Sequence, residues 1–94
     1  MAEEFVKTRD GFVMYDEDKK VIAEITYAPY GADKVIANHT YVDPSLRGQG
    51  VAEKLLDCLV EEMKEQDKKI VPHCSYVDSM FRKHEKYKDI YSKD

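Results

Sequence analysis

The sequence lacks the features of a secreted or membrane-spanning protein. Its two cysteines, Cys58 and Cys74, are too few for the disulfide framework of a small secreted domain, so each is treated as a free thiol. No apolar run approaches the roughly 18 residues that a membrane-spanning helix needs. The acidic start Met1-Ala2-Glu3-Glu4 also lacks the basic and apolar regions of a secretion signal. These absences predict a cytoplasmic protein without a membrane partner.

A concentrated basic surface is also missing. The net charge is −4 at pH 7, and the lysines and arginines are dispersed along the chain among acidic residues. Because binding to a nucleic-acid backbone requires a basic face, nucleic acid is not a predicted partner. An acidic surface instead favours a cationic substrate, such as an amine.

The length and the first half of the chain predict one domain that begins with a β-meander. The 94 residues, of which 43% are hydrophobic and 36% charged, suit a single folded domain over residues 1–94. Four segments have the composition and alternation of strands, and the connections between them are too short to hold a crossover helix. We expect Pro29 to end the third strand. The predicted strands are Glu4–Thr8, Phe12–Tyr15, Val21–Tyr27 and Lys34–Val42.

The second half of the chain predicts two helices and one more strand. From Gly50 to about Gln66, apolar residues at spacings of three and four indicate an amphipathic helix. Lys69–Val77 is predicted to be a fifth strand, parallel to the fourth because a helix connects the two. A last helix is predicted from Ser79 to about Lys86, capped by Asp78. The fold class is therefore α+β, with a mostly antiparallel sheet of about five strands, a central helix and a C-terminal helix.

The loop before the central helix has the composition of an anion-binding site. Gly48 and Gly50 can adopt unusual φ values and allow a ligand to approach the backbone closely. Free N–H groups and the positive end of the helix dipole favour a phosphate at this position, and Arg47 adds a permanent charge. The alternative interpretation is a tight turn with a solvated arginine.

The order of residues in this loop resembles a known motif. Arg47-Gly48-Gln49-Gly50-Val51-Ala52 fits the pattern Arg/Gln-x-x-Gly-x-Gly/Ala of the acetyl-CoA pyrophosphate loop in the GNAT acetyltransferase superfamily. It is not a P-loop, because no Gly-Lys-Ser/Thr follows, and Glu53 breaks the dinucleotide fingerprint. From Val21 to about Tyr91 the chain resembles a compact GNAT-like group. That group has a His-Thr near the end of the fourth strand, here His39-Thr40, and a cysteine on the fifth strand, here Cys74.

The resemblance implies a reduced GNAT fold and a binding mode for acetyl-CoA. The pyrophosphate of the cofactor would meet the N–H groups of Arg47, Gly48, Gln49, Gly50, Val51 and Ala52. Its pantetheine would lie between the fourth and fifth strands, and the thioester would approach His39 and Cys74. The remaining residues implied to contact the cofactor are Thr40, Tyr41, Val42, Ser75 and Tyr76.

Several roles remain open for the candidate catalytic residues. Cys74 is either a nucleophile that carries the acetyl group, a residue that lines the site during direct transfer, or a small buried residue of the core. His39 is either a general base or thiolate partner, or a structural residue. His73 and Cys74 would point to opposite faces of a strand, so no zinc site is predicted. His84 is expected to face solvent.

The sequence thus predicts an acetyl-CoA-dependent N-acetyltransferase that acts on a primary amine of a small molecule or on a protein lysine. The alternatives are a non-catalytic acyl-CoA-binding module or sensor, and an interaction domain in which Gly48 and Gly50 serve only a turn. Longer GNAT enzymes have N-terminal helices that help form the acceptor site. Their absence here predicts an open acceptor site.

Overall fold

The strands of the sheet lie side by side in the order in which they follow one another in the chain. This computed structural model describes residues 5–92, and its single five-stranded sheet has the order β1-β2-β3-β4-β5. Neighbouring strands are antiparallel except β4 and β5, which are parallel. The predicted meander and parallel fifth strand are therefore confirmed. The strands are β1 (Val6–Lys7), β2 (Gly11–Tyr15), β3 (Val21–Tyr30), β4 (Lys34–Val42) and β5 (Lys69–Pro72).

Two helices share one hydrophobic core with the sheet. Helix α1 (Val51–Glu65) lies between β4 and β5 in the chain, and α2 (Ser75–Lys83) follows β5. Short 3-10 helices at Pro44–Leu46 and Glu85–Tyr87 precede α1 and follow α2. None of the helices within residues 5–92 is long and apolar enough to cross a bilayer. The buried residues of α1 are Val51, Leu55, Leu56, Leu59, Val60 and Met63. The sheet contributes Phe12, Ala23, Ile25, Val35, Ala37 and Ile70 to the core, and α2 contributes Val77, Met80 and Phe81.

The third strand is longer than predicted. It continues through Pro29 to Tyr30, which pairs with Lys34 at the start of β4. A proline cannot donate a hydrogen bond, so it is tolerated in a strand only where its nitrogen faces no partner. That condition holds here because β2 begins at Gly11, which pairs with Thr26, so that among the described residues no strand pairs with the end of β3 on that side.

The fifth strand and the last helix begin and end at other residues than predicted. The strand ends at Pro72, and α2 runs from Ser75 to Lys83 instead of starting at Ser79. Cys74 is therefore not on the fifth strand but at the N-cap position of α2. The buried residues Val77, Met80 and Phe81 have the helical spacing of three and four, which overrides the strand propensity of the preceding run.

We expect Leu59→Ala to lower the free energy of unfolding by about 2–5 kcal/mol, because it leaves a cavity in a fully buried part of α1. Urea denaturation followed by circular dichroism measures this change. Lys64→Ala, at an exposed position of the same helix, is the matched control and should change stability by less than about 0.5 kcal/mol. Equal effects of the two substitutions would contradict the packing described here.

Candidate active site

The fourth and fifth strands separate halfway along the fourth. They pair only where Lys34–Ala37 lies beside Lys69–Pro72. Beyond this point β4 continues to Val42, and within residues 5–92 no strand pairs with that part of β4 on the side of β5. Both a backbone edge and a gap are therefore open to a ligand between the end of β4 and the start of α2.

A β-bulge in the fourth strand sets which side chains face this gap. Thr26 pairs with His39 but Tyr27 pairs with Ala37, so Asn38 is the extra residue. One extra residue reverses the alternation of side chains that follow it. Thr40, which pairs with the fully buried Ile25, therefore lies on the same face of the sheet as Ala37.

The bulge brings Thr40 to Cys74. The thiol donates toward the hydroxyl of Thr40, with Sγ and Oγ1 3.5 Å apart, and Cys74 is half-buried. Burial raises the pKa of the Cys74 thiol, but the hydroxyl of Thr40 and the backbone amides of Val77, Tyr76 and Thr40 lower it more, so that the net shift is downward. Amides at a helix N-terminus stabilise a thiolate in this way. The thiolate is therefore more favoured at Cys74 than at Cys58, because burial and the charge of Asp57 raise the pKa of Cys58.

His39 does not join Cys74, contrary to the expectation that both residues approach the same bound group. Its imidazole lies on the opposite face of the sheet, where Nε2 is 3.5 Å from a carboxylate oxygen of Glu24. The side chain is 55% exposed. Without the extra residue Asn38, alternation along β4 would turn His39 to the face of Ala37. The bulge therefore separates the two residues that the sequence analysis placed together.

The loop before α1 has the geometry of an anion site. Asp43 accepts hydrogen bonds from the backbone and the hydroxyl of Ser45, at 2.9 and 2.8 Å, and so holds the turn that begins the loop. Gly48 and Gly50 have φ values of 84° and 75°, in the left-handed region that favours glycine. Gly50 is the N-cap residue of α1, and the next amides have no partner within the helix. They remain available to an anionic ligand.

A cavity of about 320 Å³ lies between the N-terminus of α1 and one side of α2. We call it the α1–α2 pocket. One wall comes from the end of β4, the loop and the first turn of α1; it includes Leu46 and Glu53, which were not predicted, and lacks the predicted residues Thr40, Tyr41 and Gln49. The other wall comes from α2 and the residue that follows it. Its lining is Val42, Leu46, Arg47, Gly48, Gly50, Val51, Ala52 and Glu53 on the first side, and Tyr76, Met80, Lys83 and His84 on the second.

The second wall contains residues that the sequence analysis missed. Met80 and Lys83 were not predicted to contact a ligand, and His84 is half-buried in the pocket rather than facing solvent. The helical spacing of Val77, Met80 and Phe81 could have revealed this wall, because it places α2 four residues earlier than predicted. Tyr76 was predicted as a site residue and does line the pocket, whereas Ser75 is exposed at the start of α2.

Comparison with known proteins agrees with this architecture. The sequence model of one protein family, the GCN5-related N-acetyltransferases, matches residues 11–90, most of the chain. The chain belongs to this family. A comparison with curated proteins found no match. Among solved structures, a GCN5-like protein from Staphylococcus aureus is 35% identical with a TM-score of 0.82, and the match covers 95% of this chain and 87% of that one.

Two Escherichia coli GNAT structures are similar over a smaller part of their length. An N-acetyltransferase in complex with CoA is 26% identical over 66% of this chain and 38% of its own, with a TM-score of 0.56. The ribosomal-protein-S18-alanine N-acetyltransferase is 16% identical over 87% of this chain and 52% of its own, with a TM-score of 0.62, and so shows the fold alone. This chain thus spans about half or less of these two enzymes, and it has the reduced GNAT fold that the sequence predicted.

A second and larger cavity lies elsewhere on α1. It has a volume of about 500 Å³ and shares no lining residue with the α1–α2 pocket. Its rim includes the carboxylates of Asp57, Glu61, Glu62 and Glu65, which would repel an anionic ligand. Size therefore does not identify the cofactor site, and charge favours the smaller pocket. Within residues 5–92 no group of three or more His, Cys, Asp or Glu side chains could hold a metal ion.

We expect Thr40→Val to raise the pKa of the Cys74 thiol, because the substitution removes the hydroxyl that stabilises the thiolate. The measurement is the rate of alkylation of each cysteine as a function of pH, read from peptide masses. In the wild type, Cys74 should react at lower pH than Cys58, and the substitution should move only the profile of Cys74 upward. His39→Ala is the control and should leave both profiles unchanged; a shift there would contradict its position on the other face.

Proposed function

We propose that this protein is an acetyl-CoA-dependent N-acetyltransferase that moves an acetyl group to a primary amine of a small molecule or to a protein lysine. The observation that carries the proposal is the position of Cys74. A half-buried thiol with a lowered pKa lies where β4 and β5 separate, and Tyr76, two residues later, lines the α1–α2 pocket whose opposite wall includes the glycine loop before α1. A bound thioester carrying phosphate groups has both of the features that these two ends would recognise.

The binding mode follows from the two ends of the site. The pyrophosphate would accept hydrogen bonds from the amides of Val51 and Ala52, which have no partner within α1, with Arg47 as a charged partner; the Gln49 amide already donates to the carbonyl of Leu46. The pantetheine arm would lie along the unpaired edge of β4 from Thr40 to Val42, where backbone groups are available to its amides. Family membership supports this assignment, as does the CoA bound in the E. coli relative.

The lowered pKa of Cys74 favours a covalent route. The Cys74 thiolate attacks the thioester carbon, forming a bond from its sulfur to the acetyl group as the bond from that group to the CoA sulfur breaks. CoA leaves as a thiolate and takes up a proton. A neutral amine then attacks the acetyl-cysteine, forms the amide bond, regenerates the Cys74 thiolate and releases one proton to solvent. His39 takes no part in these steps, since it lies on the other face of the sheet.

Direct attack of the amine on acetyl-CoA is the second route. In that case Cys74 and Thr40 would only line the site, and a base or solvent would remove the proton of the amine. A third outcome is binding of the cofactor without transfer. It fits the loop and the pocket equally well, but it gives the lowered pKa of Cys74 no role. The pKa shift at Cys74 is the reason for preferring transfer over binding alone.

The acceptor is expected to approach an open site. Within residues 5–92 no strand closes the gap between the end of β4 and the start of α2, where Cys74 lies. A protein acceptor could complete the site with its own surface. The net charge of −4 favours acceptors that carry positive charge.

The first test is intact mass after mixing the protein with acetyl-CoA. We expect one added acetyl group, located at Cys74 by peptide mapping and absent in Cys74→Ala. An amine added afterwards should remove it and appear as the acetylated product. If Cys74→Ala transfers acetyl groups at the wild-type rate, the covalent route is wrong and direct transfer remains. If no amine is acetylated by the wild type, the proposed activity is wrong.

The second test concerns the anion site. Arg47→Gln should weaken acetyl-CoA binding about 10-fold, since it removes one charge-assisted hydrogen bond worth about 1.4 kcal/mol. Isothermal titration calorimetry measures the affinity. Arg82→Gln is the matched control, because Arg82 is exposed and paired with Asp78 on α2. If Arg47→Gln leaves the affinity unchanged, the phosphates do not bind beside Arg47.

A further inference from the structure

An ion-pair network joins the end of the described chain to the first two turns of α1. The Lys86 ammonium lies 2.8 Å from a carboxylate oxygen of Glu53 and 3.4 Å from one of Asp57. The hydroxyl of Tyr87 donates to the other carboxylate oxygen of Asp57 at 2.7 Å. Lys86 and Tyr87 belong to the 3-10 helix that follows α2. The network therefore holds this segment against the helix whose N-terminus forms the anion site.

One member of the network, Glu53, carries a charge that would oppose binding of the ligand that the pocket would hold. Glu53 lines the α1–α2 pocket, in the first turn of α1 and directly after the loop that would bind phosphates. The hydrogen bond and charge of Lys86, and to a smaller extent the charge of His84, lower the pKa of Glu53 and keep it ionised. A carboxylate in the first turn suits the helix dipole but repels phosphate groups.

We propose that Lys86 is a positioning residue that neutralises Glu53 and thereby allows the α1–α2 pocket to bind the phosphates of CoA. The inference rests on the proposed function and adds a residue outside the pocket to it. Lys86 itself is not part of the pocket lining, whereas Arg47, Lys83 and His84 are. Lys86 acts on the ligand through Glu53: it draws the carboxylate into an ion pair and cancels its charge.

The roles of the other charged neighbours can be separated from that of Lys86. Asp57 shares Lys86 but keeps its hydrogen bond from Tyr87 when the lysine is replaced. Lys86 also lies over the ring of Tyr87, with Nζ 5.0 Å from the ring centroid. Methionine at position 86 retains most of the aliphatic chain, so Lys86→Met removes the charge with little loss of packing.

The charge of Lys86 should affect how strongly the phosphates of the ligand bind, and not how strongly its pantetheine arm binds. Binding of CoA should depend on the charge of Lys86 because CoA carries phosphates. Binding of S-acetylpantetheine, which has the same pantetheine arm without phosphates, should not depend on it. Loss of the Lys86 charge, whether by substitution or by acetylation of its amine, would therefore weaken binding of the cofactor. The surroundings of the Cys74 thiol would not change.

The test is a double-mutant cycle on CoA binding, measured by calorimetry at low salt with wild type, Lys86→Met, Glu53→Gln and the double variant. Lys86→Met should raise the dissociation constant about 2- to 5-fold, a range typical of partly exposed charges. Glu53→Gln should not weaken binding, and adding it to Lys86→Met should restore the affinity to within about twofold of wild type. The difference should shrink as salt is added.

Three controls make the outcome decisive. Lys86→Arg keeps the charge and should bind CoA as wild type does. Lys88→Met removes a nearby exposed charge outside the network and should have no effect. Amide shifts with S-acetylpantetheine should be alike in all variants if the fold and the thiol site are intact. An unchanged affinity in Lys86→Met, or a loss that Glu53→Gln does not restore, overturns the inference alone. A wild-type protein that binds no CoA overturns the proposed function as well.

Discussion

The carbonyl oxygen of Ala37 is the contact on which the site depends. It accepts hydrogen bonds from the backbone amides of both His73 and Cys74, each at 3.0 Å, directly after Pro72 has ended the fifth strand. Within residues 5–92 they are the last backbone–backbone hydrogen bonds between β4 and the chain that leaves β5, and the side chain of Cys74 then reaches Thr40 farther along β4. The two bonds turn the chain into α2 and hold Cys74 at the point where the strands separate. The position of this carbonyl group therefore determines where the gap, the Cys74 thiol and the α2 wall of the pocket lie.

The charge distribution around the pocket reflects two competing requirements. A carboxylate in the first turn of α1 stabilises the helix through its dipole, and the same amides are needed by an anionic ligand. Glu53 satisfies the first requirement and opposes the second. In the proposed role of Lys86, its ion pair with Glu53 would reconcile them, since it leaves Glu53 in place and offsets its charge. Stability of the helix and recognition of phosphate would then be adjusted by different residues.

The sequence was sufficient for the features that depend on periodicity and turn chemistry. Strand alternation and the spacing of apolar residues in α1 predicted the meander, the crossover helix and the parallel strand, and the two glycines predicted the loop. It was insufficient where tertiary contacts decide. The bulge at Asn38, which turns His39 away from Cys74, arises from pairing with the third strand and has no local signal. The early start of α2 follows from core contacts of Val77 and Phe81 that outweigh local strand propensity.

The two walls of the α1–α2 pocket come from stretches about 25 to 35 residues apart in the chain, around Gly50 and around Met80. During synthesis the first stretch leaves the ribosome well before the second, and domains fold as units once their contacts are available. A chain that ends before α2 has only one side of the pocket. A ligand that needs both walls therefore cannot guide the early part of folding.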